Sequence, residues 1–141
     1  GFRLKQAVLQ YLVERGIPAH DFGVYAEERA DYPDQALPVA EAVARGEHEF
    51  GILVCGTGIG MALSANKVPG IRAVACSDTF SARLAREHND CNVLCFGERV
   101  VGVGLALDLV AAFLGAKFLG ERHAARVAKI MAIQERYSKG R

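Results

Sequence analysis

Residues 50–60 read F-G-I-L-V-C-G-T-G-I-G, an apolar run that ends in Cys55 and passes directly into a glycine-rich turn. Residues 52–55 have the length and composition of a strand buried on both faces, and residues 61–66 continue at once as a helix. Strand, glycine turn and helix in that order point to an open α/β sheet, whose ligands bind beyond the carboxyl ends of the strands. Backbone N–H groups and the next helix N-terminus attract negative charge there. Cys55 therefore sits beside a turn suited to an anion.

Upstream, Phe2, Leu4, Ala7, Val8, Tyr11 and Leu12 recur at helical spacing until Gly16 stops the run. Residues 17–25 suit a short strand and turn, and a second helix spans residues 34–45 with Gly46 behind it. Downstream, Val68, Pro69 and Gly70 end the third helix, a strand follows at 71–77, Asp78 or Thr79 caps a helix at 80–88, and a last strand lies at 92–96. Residues 100–118 are apolar nearly all round, as in a helix buried on more than one side, one of which can be a subunit interface. Residues 122–137 form a C-terminal basic helix, and residues 138–141 are expected to fray.

The alternation predicts an α/β, Rossmann-like (flavodoxin-like) parallel sheet with helices on both faces, in a single domain over residues 1–141. Four strands are visible. The first helix has none before it, although a right-handed crossover needs one, so a first strand ahead of Gly1 is expected.

The 51% hydrophobic content is ample for a core, which excludes disorder, and seventeen basic against sixteen acidic residues give a net charge of +1. No overall footprint of a nucleic-acid binder exists at that charge, so any phosphate site is local. Cys55, Cys76, Cys91 and Cys95 form no C-x-x-C pair and suit a reducing cytoplasm. No apolar run reaches the roughly 20 residues of a membrane span, and the chain reads as soluble, without membrane partners.

A thiol where a strand end meets a helix N-terminus can gain thiolate character and exchange protons near neutrality. The competing reading of Cys55 is a buried structural cysteine. The adjoining glycines favour function, because Gly56, Thr57, Gly58, Ile59 and Gly60 let the backbone approach a ligand and present N–H groups to a developing oxyanion. Thr57 adds a hydroxyl. The spacing gives neither G-x-G-x-x-G nor G-K-[ST], so dinucleotide and P-loop binding lose support. His88, with Asn89 and Asp90, marks a helix end where an imidazole can face a cleft, or simply meet the helix dipole. Arg122 and Arg126 lie one turn apart and can clamp a phosphate, or form a solvated basic face with Lys129. His20 and His48 read as surface residues near turns. No metal-ligand spacing is convincing: Cys91 and Cys95 would share one strand face as core, and neither metal nor other cofactor is expected.

With C-G-T-G-I-G at 55–60, S-A-N-K at 64–67, G-I-R-A at 70–73, H-N-D at 88–90, F-G-E-R at 96–99 and R-H-A-A-R at 122–126, the chain closely resembles the ribose-5-phosphate isomerase B family over essentially its whole length. That family also includes galactose-6-phosphate isomerase subunits. The resemblance implies metal-independent aldose–ketose isomerisation through a cis-enediolate, in a homodimer, or a tetramer, whose active sites lie between subunits. It makes Cys55 the proton acceptor between C1 and C2, and His88 the proton donor in ring opening, with Thr57 completing the candidate catalytic set. It implies that Gly56, Gly58, Ile59 and Gly60 cradle the enediolate, that Tyr32 and Asn89 contact the sugar, and that Arg99, Arg122 and Arg126 hold substrate and phosphate. His88 and Asn89 would come from the partner subunit.

The family opens with a strand and S-D-H-A-G-F, of which Gly1 and Phe2 match the final pair. The Asp and His of that motif would assist ring opening and phosphate binding. The leading expectation is a cytoplasmic isomerase of ribose 5-phosphate and ribulose 5-phosphate. Isomerases of allose, galactose or tetrose phosphates are the near alternatives, and a non-catalytic phosphosugar-binding module is the alternative of another class. Flavin or nucleotide binding would rest on fold analogy alone.

Overall fold

The computed structural model describes residues 2–23 and 31–138. Helix α1 (Phe2–Glu14) forms because Leu4, Val8 and Leu12 make one buried stripe, and Gly16, at φ +69°, lets the Ile17 N–H return to the Leu12 carbonyl at 2.9 Å. Helix α2 (Tyr32–Ala44) begins earlier than position 34. Asp31 is its N-cap residue and Pro33 sits in the first turn, where a missing N–H costs little.

Strand β1 (Gly51–Cys55), α3 (Ile59–Ala65), β2 (Ala73–Ala75), α4 (Thr79–Glu87), β3 (Val93–Gly97), α5 (Val103–Gly115) and α6 (Arg122–Ser138) follow. Asp78 caps α4 by accepting the Ser81 N–H at 2.8 Å. The strands form one parallel sheet in the order β1-β3-β2, with Gly51 beside Val93, Cys55 beside Gly97 and Ala73 beside Val93.

Side chains alternate across β3 and so build two cores. Leu94 and Phe96 pack with α1, α4 and α5, while Val93 and Cys95 pack with α2 and α3. Helices therefore cover both faces, as the Rossmann-like α/β class requires. Helix α6 stands apart: it buries only His123 and Val127 and exposes Ile130, Ile133 and Tyr137.

Three expectations change. Every residue of β3 is buried, whereas Ile52, Val54 and Cys55 of β1 are only half-buried. Strand β1 is covered on both faces, Ile52 and Val54 packing on one core and Leu53 and Cys55 on the other, but less completely than β3, because among the described residues it lies at the sheet edge. The strand expected at 17–25 does not form over 17–23: Pro18 has no N–H to give, and the Gly23 N–H is satisfied locally by Asp21 Oδ1 at 3.0 Å. Val24 and Tyr25 lie outside the described residues, among which the sheet has three strands and not four. Cys91 and Cys95 are both core, but Cys91 precedes β3 and packs with Leu94, while Cys95 faces the opposite side.

Along the side of β1 away from β3 runs a cavity of about 620 Å³, lined by Leu9 and Leu12 of α1, Val39 and Val43 of α2, and the length of β1 itself. It reaches Tyr32, Cys55 and Gly56 at one end. Among the described residues no helix is long and apolar enough to cross a membrane.

Candidate active site

Cys55 is the last residue of β1, and the chain turns through Gly56, Thr57 and Gly58 into α3. Gly58 adopts φ +86° as the N-cap, and a Cβ there would lie 2.8 Å from the Phe96 backbone, so only glycine fits. This turn folds back far enough for the Gly58 N–H to donate to Cys55 Sγ at 3.1 Å. Thr57 Oγ1 accepts the Ile59 N–H at 3.2 Å, which leaves the hydroxyl proton of Thr57 free to donate outward. First-turn N–H groups of a helix have no carbonyl partner inside it; in α3 these begin at Ile59 and Gly60.

The turn after β3 clamps this loop. Glu98 N–H donates to the Cys55 carbonyl at 2.8 Å and Arg99 N–H to the Gly56 carbonyl at 3.0 Å. A Cβ built on Gly56 would meet the Arg99 side chain at 3.6 Å, so this guanidinium lies over the loop. A Cβ on Gly60 would lie 2.6 Å from the Tyr32 ring, which packs against the start of α3. The fold thus brings together Tyr32, Cys55, Gly56, Thr57, Gly58, Ile59, Gly60 and Arg99 from three separate segments of chain.

A second group forms where α4 ends. His88 is the C-cap of α4, its N–H donating to the Leu84 carbonyl at 2.8 Å. Asp90, at φ +49°, accepts from Arg86 Nη1 at 2.8 Å and from Arg72 Nη2 at 3.3 Å, which fixes the 88–90 turn and presents Asn89 to solvent. Helix α6 begins beside it with Arg122 and Arg126 exposed, and the His88 and His123 rings stack at 4.1 Å between centroids. His123 was not among the sequence candidates; only its place between Arg122 and Arg126 hinted at it. Among the described residues no hydrogen bond, ion pair or ring contact joins this group to the Cys55 group.

The four cysteines are free thiols with different environments. Burial pushes the Cys76 and Cys91 thiols up to about 11, and Cys95 higher still, so all three keep their protons near neutrality. Burial first, and then His88, Arg122 and Arg126, lower the proton affinity of His123. Among the described residues no group of three or more His, Cys, Asp or Glu side chains could hold a metal ion. What the site offers is a half-buried sulfur under an N–H donor, flanked by amides, a hydroxyl and a guanidinium.

Comparison with known proteins bears on that chemistry. Residues 1–130 match the family model described as Ribose/Galactose Isomerase. The chain is 54% identical to ribose-5-phosphate isomerase B of Escherichia coli K12, over 96% of this chain and 91% of that one. It is 44% identical to D-erythrulose-4-phosphate isomerase of Pectobacterium atrosepticum, over 90% of this chain and 84% of that one. The structure of ribose-5-phosphate isomerase B from Clostridium thermocellum superposes with a TM-score of 0.95 at 52% identity, covering 97% of this chain and 93% of its own.

Proposed function

The chain belongs to the ribose/galactose isomerase family, and from that premise we propose that it interconverts ribose 5-phosphate and ribulose 5-phosphate with Cys55 as the base. The observation that carries the assignment of the base is the Gly58 N–H directed at Cys55 Sγ within the glycine turn. With the sugar open, the Cys55 thiolate takes the proton from C2, and the electron pair of that C–H bond forms the C1–C2 double bond of an enediolate. The charge moves onto O1, where the amides of the 56–60 turn and the Thr57 hydroxyl donate to it. The Cys55 S–H then returns its proton to C1, and the proton of the O2 hydroxyl passes to O1, so that the C2 ketone and the C1 alcohol form together. His88 acts earlier, giving a proton to the ring oxygen as the furanose opens. Tyr32 and Asn89 contact the sugar, and Arg99, Arg122 and Arg126 hold substrate and phosphate.

A homodimer follows from the same reading. Among the described residues no hydrogen bond, ion pair or ring contact links the Cys55 group to the His88 group, and α6 leaves Ile130, Ile133 and Tyr137 exposed. A second copy laid against α6 would cover these residues and bring its own His88, Asn89, Arg122 and Arg126 over the first copy's glycine turn. Four free thiols agree with a reducing cytoplasm. The likeness to a tetrose-phosphate isomerase makes that sugar class the nearest alternative substrate.

Replacing Cys55 with Ala tests the assignment: turnover should fall by about 10²–10⁴-fold, the usual contribution of a general base, with the fold intact by circular dichroism. Unchanged turnover would remove Cys55 from the mechanism. Exchange of the C2 hydrogen with solvent deuterium separates catalysis from mere binding, since a phosphosugar-binding module would bind the sugar without exchange.

A further inference from the structure

The planes of the His88 and His123 rings are only 7° apart, with centroids at 4.1 Å. Their meeting is built into the backbone. Leu119 N–H donates to the carbonyl of Glu87, the residue before His88, at 3.0 Å. Gly120 and Glu121, at φ +70° and +52°, then turn the chain so that His123 N–H caps back onto the Gly120 carbonyl at 2.9 Å. His123 is 7% exposed, while His88 is half-buried, so one ring is fixed and the other faces outward.

A histidine at a helix C-cap has a broad, two-fold χ2 torsion and nothing in its own turn to set the ring plane. A parallel ring one van der Waals layer away does set it, while leaving both ring nitrogens at the rim, free to give or take a proton. We infer that His123 is a positioning residue: its buried ring is a flat platform that fixes the plane of the His88 imidazole and so aims its nitrogens at the sugar ring oxygen. This rests on the proton-donor role of His88 proposed above. The lowered proton affinity of His123 supports it, because an uncharged platform does not repel a protonated neighbour.

The alternative role for His123, as a phosphate ligand between Arg122 and Arg126, gives opposite results in three forms of the full-length protein: parent, His123→Ala and His123→Phe. A platform needs only a flat ring, so kcat should fall about tenfold in His123→Ala, from lost orientation, and return in His123→Phe with KM little changed in either. A KM rise shared by both variants, or a His123→Phe as slow as His123→Ala, would overturn the inference. Proton NMR of the His88 Cε1–H in the sugar-free protein reads the stack without turnover. Its ring-current shift should vanish in His123→Ala and persist in His123→Phe. An unshifted resonance in the parent would overturn the platform even if the isomerase reading stood. A shifted resonance in a protein inactive towards ribose 5-phosphate would keep the platform and count against the isomerase reading.

Discussion

Gly97→Ala is the most exacting test of how the loop geometry serves the reaction. A Cβ at Gly97 would lie 2.3 Å from the Gly56 carbonyl oxygen and from Thr57 Cα, and 2.5 Å from the Thr57 carbonyl carbon. Ordinary contact begins at 3.4 Å, and all three atoms are backbone, so no side-chain rotation relieves the overlap. The 55–57 segment must retreat by roughly 1 Å, straining the bonds from Glu98 and Arg99 that hold it. Overpacking of this kind costs about 1–3 kcal/mol against the roughly 5–15 kcal/mol that holds a domain together, so the variant should fold with a Tm lowered by about 4–12 °C. With Cys55 as the proposed base, displacing its thiol and the amides by that distance should cost about 10²-fold in kcat. Coupled detection of ribulose 5-phosphate measures the rate, and calorimetry the Tm. Gly104→Ala is the control, because a Cβ there meets nothing within 4 Å and alanine favours a helix. A Gly97→Ala enzyme as active as its parent would refute the claim that the β3 turn sets the position of the thiol.

Iodoacetamide at neutral pH should label Cys55 ahead of the other cysteines, because burial keeps Cys76, Cys91 and Cys95 protonated. Peptide mapping that found Cys91 or Cys95 labelled first would contradict the packing described. His123 binds a proton less readily in the fold than in the unfolded chain, so its contribution to stability is whole above the ordinary imidazole value of 6.5 and is lost as pH falls through that value and below. Urea midpoints at about pH 7.5 and about pH 5.5 should therefore differ more for the parent than for His123→Phe, and equal differences would show that His123 does not govern the acid limb.

The helices were legible because each carries local punctuation: Gly16 and Gly46 take left-handed φ, and Asp78 caps through its own carboxylate. The order β1-β3-β2 was not, because the neighbours of a strand are chosen by packing across the whole chain. Apolar Ile17 and Phe22 resembled a strand, but a strand exists only where a ladder receives it, and Asp21 offered Gly23 a nearer partner. Cys55 and its glycines could be read at once, since strand, turn and helix are contiguous there. Gly97 and His123 could not, because their meaning lies in atoms of other elements: the backbone at 56–57 for one, the His88 ring for the other.

Among the described residues β1 is bonded on one side alone, to β3, and its other side borders the cavity. Successive side chains of a strand point opposite ways, so a slip of one residue along β3 would turn the sulfur at its tip to the other face, away from the Gly58 N–H that it accepts, and on the proposed mechanism would leave the protein folded but inert. Reactivity is thus tied to a single alignment of two chain segments. Any contact that holds that alignment should make the enzyme more uniform before it makes it more stable.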